Sequence, residues 1–266
     1  MPTFEHFIRD IGGEPLKLPD TPLPVYKLKG TWVHYIPLIE AAHLATDFTH
    51  RLSLQYFNTP VRMVHIWEDV WKTKQHIVAS RLQAIAGLGK KIHARTTEVA
   101  RIDKLTTDHF LRDHHLQGST HAYYKFALMH KQQLAAVATF SKARTMYDGP
   151  VYYRSYELER FACVSGYTVT GGLGKLLHAF TDFINPAHIM TYADADWGKG
   201  EGYQKLGFTV AGFSAPQVFY VHPEDGMRHA ESKLLLHATE GELLNKGFMK
   251  VFTAGNVKYV LDRRSS

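Results

Sequence analysis

A single cysteine, Cys163, occurs in 266 residues, so no intrachain disulfide can form and a cysteine-rich zinc site is excluded. No apolar run reaches the roughly 20 residues that a membrane helix requires, and no membrane partner is expected. The opening MPTFEHFIRDIGGEP carries acids where a secretory leader would carry a basic and then an apolar stretch, so a cytoplasmic location is expected. Internal repeats and low-complexity tracts are missing as well. The 17 histidines are scattered through stretches such as HIWEDVWKTKQH and LRDHHLQGSTH, without HExxH or His-Cys spacing, and no metal site is expected. Neither a P-loop nor a GxGxxG fingerprint occurs, which argues against a nucleoside triphosphate.

What the chain does have is 45% hydrophobic and 12% aromatic content, enough for one large domain or two small ones. Its net charge of +6 and pI near 9.2 favour an anionic partner, either nucleic acid or a phosphorylated cofactor.

Residues 1–30, with five prolines and an IGG turn, predict an irregular arm. TWVHYIPL and VRMVHIW predict strands, and the stretch between them is readable as helix or strand. EDVWKTKQHIVASRLQAIAG predicts one amphipathic helix ending at Gly87 and Gly89. The basic connector GKKIHARTTEVARID follows, and a domain boundary is expected at residue 95. Beyond it come a helix (TTDHFLRDHHL) and strands AYYKFALMH, LAAVATFSKA and SYELERFACVS. Then follow a glycine-rich turn with its helix, GGLGKLLHAFTDFI, and the strand HIMTYAD. Antiparallel alternation from Tyr123 to Ser165, with a helix before the next strand, predicts a mixed α/β fold.

The turn TVTGGLGKLLHAF sets Gly171, Gly172 and Gly174 between strand and helix. Bare amides of the first helical turn, at Gly172, Leu173 and Gly174 with Lys175 beside them, suit a phosphate or pyrophosphate. A tight turn without a ligand is the other reading. Tyr203, in YQKLGF, is a candidate proton donor or a core ring. Asp194 and Asp196 end a strand, where α/β sheets present polar groups to a ligand. Of the two, Asp194 is the candidate base and Asp196 a candidate cap for the turn. Arg160 is expected to share a strand face with Leu158 and Ala162, and there it needs an anionic ligand or an acid from elsewhere. Arg144 and the pair Tyr123-Tyr124 offer a base clamp, or else form an ordinary hairpin. Lys72, Lys74 and Arg81, with Lys90, Lys91 and Arg95, form either a phosphate-backbone grip or a solvated basic face.

Gly172-Leu173-Gly174 resembles the pyrophosphate loop of the GCN5-related N-acetyltransferases, Gln/Arg-x-x-Gly-x-Gly/Ala, with Val169 at the Gln/Arg position. YQKLGF is similar to that family's late Tyr-x-Lys-x-Gly-Phe helix, whose tyrosine often acts as general acid. Over most of the chain, YELERFA, TGGLGKLL, TYADADWGKGEGYQKLGF and GFMKVFTAGNVKYVL resemble a phage-encoded group. In that group a GCN5-like domain follows a restriction-endonuclease-like segment, and the same elements are similar to Mom-type modifiers of DNA adenine. The resemblance implies a largely antiparallel sheet flanked by helices at 96–266, behind a reduced endonuclease-like α/β module at 1–95.

It further implies acetyl-CoA or another acyl or phosphorylated donor at 171–175, catalysis by Tyr203, Asp194 and Arg160, and a nucleic-acid acceptor, DNA rather than RNA. HIWEDVWKTK resembles the Trp-Glu-Asp segment of the endonuclease-like part. The strand-like stretches from Thr31 to Trp67 lack a Glu-x-Lys or Asp-x-Lys pair, so that part is expected to be silent as a nuclease. Two functions stay open: group transfer to an amine, or DNA binding by a degenerate, inactive fold.

Overall fold

Prolines confined to positions with a free neighbour are tolerated in strands, and the first 30 residues exploit this. In the computed structural model, which describes residues 3–264, they form a helix, Phe4–Asp10, and a hairpin, Glu14–Leu18 with Thr21–Leu28, in place of the expected irregular arm. Pro15 lies on the edge strand. Pro22 and Pro24 precede the Val25–Leu28 stretch that pairs with Thr31–Ile36, and both point outward while Thr21, Leu23 and Val25 point in. Thr3 caps the helix by accepting the His6 amide, and Phe4 stacks on Tyr35 with ring centroids 4.4 Å apart.

Contacts group the chain into two compact units, each discontinuous. The first comprises 1–75, 193–200 and 212–257; the second comprises 76–192, 201–211 and 258–266. The modules expected at 1–95 and 96–266 are continuous segments, whereas residues 193–200 and 212–257 return to the first unit.

In the first unit, strands Glu14–Leu18, Thr21–Leu28 and Thr31–Ile36 run antiparallel, and Arg62–Trp67 joins in parallel. A parallel neighbour requires a crossover. The ambiguous stretch supplies it as a 3-10 turn, Leu38–His43, and a helix, Phe48–Gln55. A second sheet places Val218–Val221 between Arg228–Ala230 and Met249–Phe252. Ile36, Trp67, Val221, Val251 and Phe252 form the common core.

The single helix expected over 68–87 is two, Glu68–Thr73 and Gln75–Ile85. Thr73 turns its hydroxyl back onto the Asp69 carbonyl at 2.7 Å, and Lys74 leaves helical geometry at φ −127°. Both acids of the Trp-Glu-Asp segment have partners within the chain. Glu68 accepts the Leu38 amide and pairs with Lys72, and buried Asp69 takes a two-pronged bond from Arg228 at 2.6 and 3.1 Å.

The second unit is built on an eight-stranded mixed sheet. Glu98–Arg101, Tyr124–His130, Gln133–Phe140 and Val151–Cys163 pair antiparallel in that order, and Arg144–Asp148 pairs with residues 151–155. Val151–Cys163 then pairs in parallel with His188–Asp194, across the helix Gly172–Ile184. Strand alternation loads the two faces differently. One receives Phe180 of that helix, stacked on Phe140 at 3.8 Å. The other buries Ala127, Val137 and Ala162 with Phe110 and Leu111 of the helix Lys104–His114. The fold is therefore mixed α/β with helices flanking the sheet. Among the described residues no helix is long and apolar enough to cross a membrane.

Candidate active site

The glycine turn is shaped by φ angles and contacts that only glycine satisfies. Gly171 sits at φ +78° as the N-cap of the 13-residue helix Gly172–Ile184, with no side-chain cap. A Cβ on Gly172 would stand 2.9 Å from Val169 Cγ1 and 3.3 Å from Leu128 Cδ1, and one on Gly174 would stand 3.1 Å from Leu206 Cδ2. The first intrahelical bond is Lys175 N–H to Gly171 O at 3.0 Å, so the amides of Gly172, Leu173 and Gly174 have no acceptor within the helix. Lys175 is held by backbone carbonyls of the chain itself. Its ammonium donates to the carbonyls of Ala94 (2.9 Å) and Thr97.

Those carbonyls belong to the basic connector. Lys90–His93 pairs in parallel with Tyr167–Thr170, the strand leading into the turn, and the added Cβ of Gly171 would lie 3.6 Å from that of Ala94. Lys90, Lys91 and Arg95 are all exposed on this segment, with Lys90 over the Tyr167 ring at 5.7 Å. Packing therefore brings three cations to the flank of the glycine turn, which spacing along the chain does not reveal.

A second feature lies where the two parallel strands part. Ser155–Leu158 pairs with His188–Thr191 and the pairing stops there, while Val151–Cys163 runs on to Cys163. The Thr191 hydroxyl donates to Leu158 O at 2.9 Å, closing the last paired step. Tyr203, from the short helix Glu201–Gln204, shares a hydrogen bond with the Thr191 side chain and packs on Tyr259 and Phe208, with centroids 5.5 and 5.7 Å away. Burial pushes the phenol's pKa up, and the Thr191 bond and the Arg81 charge only partly oppose it, so the hydroxyl keeps its proton at neutral pH.

The expected face for Arg160 is corrected by a bulge. Leu158 registers with Phe140 but Arg160 registers with Thr139, leaving Glu159 as the extra residue. The side-chain alternation inverts there, so Arg160 shares a face with Ala162 on the Phe110 side, away from Leu158. Its Nη1 donates to Glu159 O at 2.7 Å. Burial first, then the charges of Arg81 and Arg160, hold the His115 imidazole down to about 3. Cys163 is pushed up by burial, against a bond from the Val169 backbone and the charge of Arg81. Arg81 thus acts on Tyr203, His115 and Cys163. The sequence offered it only as one member of a basic helix face, and no motif marked His115.

Of the two acids after the strand, Asp194 and not Asp196 makes the cap. Asp194 caps the 3-10 turn Ala195–Trp197 by accepting the Asp196 amide at 3.0 Å. Asp196 is the buried one, accepting the Ala254 amide at 2.9 Å. Both belong to the first unit and Tyr203 to the second. Of the expected base clamp, Arg144 is exposed and pairs with Glu157 at 3.3 Å, whereas Tyr124 is half-buried against Tyr123, Tyr156 and Phe180. No cluster of three or more His, Cys, Asp or Glu residues that could hold a metal occurs among the described residues.

No protein-family model matches the chain, and no curated protein sequence matches it. Solved structures resemble it distantly. The ribosomal-protein-S18-alanine N-acetyltransferase of Escherichia coli is 15% identical with a TM-score of 0.38, over 64% of this chain and 96% of that one. An acetyltransferase of Bacillus subtilis in complex with CoA is 15% identical, TM-score 0.38, over 62% and 98%. A GNAT family acetyltransferase from Elizabethkingia anophelis with acetyl-CoA bound is 9% identical, TM-score 0.33, over 63% and 98%. Likenesses this distant fix no activity.

Proposed function

We propose that the second unit is an acyl-group transferase of the GCN5-related kind, acting on an amine carried by a nucleic acid. The observation that carries the reading is the phenol of Tyr203 held on Thr191, where the parallel strands stop pairing, together with the sequence resemblance of TGGLGKLL and YQKLGF. An acyl-CoA bound there would supply the activated thioester. The chain's own residues suit such a donor: the amides of Gly172, Leu173 and Gly174 lack intrahelical acceptors, and Lys90, Lys91 and Arg95 flank them with positive charge. Lys175 is not assigned to the phosphates, because carbonyls of the connector hold it. Tyr203, neutral at physiological pH, holds a proton for a departing thiolate. The basic balance and the likeness to Mom-type modifiers support a nucleic-acid acceptor, DNA in preference to RNA.

One observation favours a second reading. Val169 is buried beneath Gly172, so this position offers no polar side chain to a phosphate. That suits a DNA-binding protein that no longer turns over. Acetyl-CoA is expected to raise the melting temperature of both the wild type and Tyr203→Phe. Release of CoA in the presence of DNA is expected to fall roughly 10²-fold or more in the variant. Mass spectrometry of DNA from cells expressing either form identifies the modified base. Salt-sensitive DNA binding with no response to acetyl-CoA would establish the second reading instead.

A further inference from the structure

The first unit contains a hydrogen-bonded chain that neither the glycine turn nor Tyr203 uses. His34 and His65 are direct register partners on the parallel strands Thr31–Ile36 and Arg62–Trp67, and both are buried. Their Nδ1 atoms lie 2.9 Å apart. Beyond them, His34 Nε2 is 3.2 Å from Thr21 Oγ1, and His65 Nε2 is 3.0 Å from Ser53 Oγ on the helix Phe48–Gln55. All four ring nitrogens are satisfied within this chain.

A contact between two ring nitrogens needs one to be protonated and the other bare, so the chain has two polarities. In one, Thr21 donates to His34, His34 to His65, His65 to Ser53, and Ser53 to the Ala195 carbonyl at 3.5 Å. In the other, Ser53 donates its proton to His65 Nε2, while His65 Nδ1–H points at His34. This second polarity is the arrangement of an activated nucleophile: hydroxyl, base, and a third group that orients the base. Burial holds His34 down to about 4, and burial followed by His34 holds His65 well below its ordinary value, so the base is unprotonated at neutral pH.

Ser53 also borders a small cavity. Phe57 and Phe213, in edge contact at 5.0 Å, make its apolar wall, and His50, Tyr56 and Lys199 line its polar side. His50 is fixed by donating Nδ1–H to Ala254 O at 2.8 Å, and the Tyr56 hydroxyl donates to Asp20 at 2.6 Å. The Lys199 ammonium, anchored on the Thr59 carbonyl, brings positive charge to the wall.

We propose that Ser53 is a nucleophile, with His65 as its base and His34 as the positioning residue, and that the cavity takes a small carboxylic ester. Ser53 Oγ bonds to the acyl carbon as its proton passes to His65 Nε2. The ester C–O bond breaks with its electron pair on the alkoxide, which takes that proton and leaves. Water, deprotonated by His65, then displaces the serine from the acyl group, giving a carboxylic acid and restoring Ser53. Positive charge at Lys199 suits the oxyanion formed in each half.

The test uses the full chain with an aryl fluorophosphonate, which traps such a serine as Oγ–P forms and P–F breaks, and with p-nitrophenyl acetate as substrate. Expected is one adduct by intact mass, placed on Ser53 by tandem mass spectrometry and absent from heat-unfolded protein. Ser53→Ala is expected to lose the adduct and p-nitrophenol release, and His65→Gln to slow both roughly 10²-fold or more. No adduct above the unfolded control, an adduct on another residue, or release by Ser53→Ala at the wild-type rate would each overturn the proposal. Mapping on the unaltered chain decides it even if a variant fails to fold.

Discussion

Replacing Asp196 with asparagine is expected to stabilise the first unit at pH 8 and to leave it nearly unchanged at pH 4. The carboxyl of Asp196 is buried, and its folded pKa is held well above the carboxylate range, first by burial and then by the neighbouring Asp194 charge. Asp69 adds in the same direction, while the Ala254 amide and Arg228 oppose. Because the folded value is raised, the folded state binds this proton more tightly than the unfolded chain does. The resulting stabilisation is complete below the unfolded value of 3.8 and is lost as pH rises through the folded one.

Between those limits the wild type loses about 1.4 kcal/mol per pH unit. Asparagine keeps an Oδ1 acceptor for the Ala254 amide but never ionises, so its stability lacks that slope. Each unit of pH inside the window therefore moves the melting temperature by roughly 3–6 °C. Urea titrations followed by tryptophan fluorescence at five pH values read this directly, since Trp32, Trp67, Trp71 and Trp197, the chain's four tryptophans, all lie in the first unit. A difference between variant and wild type that stays flat from pH 4 to pH 8, or an asparagine variant that is weaker at pH 8, would refute the reasoning.

Arg228→Leu strands the buried Asp69 carboxylate and is expected to cost about 3–5 kcal/mol by the same fluorescence assay, with most of the loss recovered in Arg228→Leu/Asp69→Asn. In the second unit, Gly172→Ala drives a methyl to 2.9 Å from Val169 Cγ1 and is expected to cost about 1–3 kcal/mol, measured by amide exchange across Gly172–Ile184. Gly171→Ala meets more open space but forces φ +78° on an L side chain, for roughly 1–2 kcal/mol.

Periodicity sufficed where one element sees one environment. The helix Gly172–Ile184 buries Leu176, Leu177 and Phe180 at helical spacing, and both it and the strand His188–Asp194 were readable in the sequence. The prolines near the start misled because outward placement at unpaired strand positions depends on register, which composition does not encode. Thr73 broke a helix that the apolar pattern carried across it. The Arg144–Asp148 strand went unread because it pairs only with residues 151–155, and both its tyrosine and its arginine stay exposed.

The candidate sites were legible only as far as they are local. A glycine run ahead of a helix announces bare amides, and YQKLGF marks Tyr203. The bulge at Glu159 carries no glycine signal, yet it turns Arg160 to the opposite face and so changes which groups its charge reaches. Lys90, Lys91 and Arg95 flank the glycine turn through a parallel pairing some 80 residues away in sequence. The Ser53, His65 and His34 chain is further out of reach. A parallel neighbour is reached only through a crossover, so its register partner falls at no fixed spacing, and His34 meets His65 across 31 residues. No motif search based on short spacings can find such a group. Its signature is physical: two buried rings whose four nitrogens are satisfied only by one another and by the hydroxyls at either end.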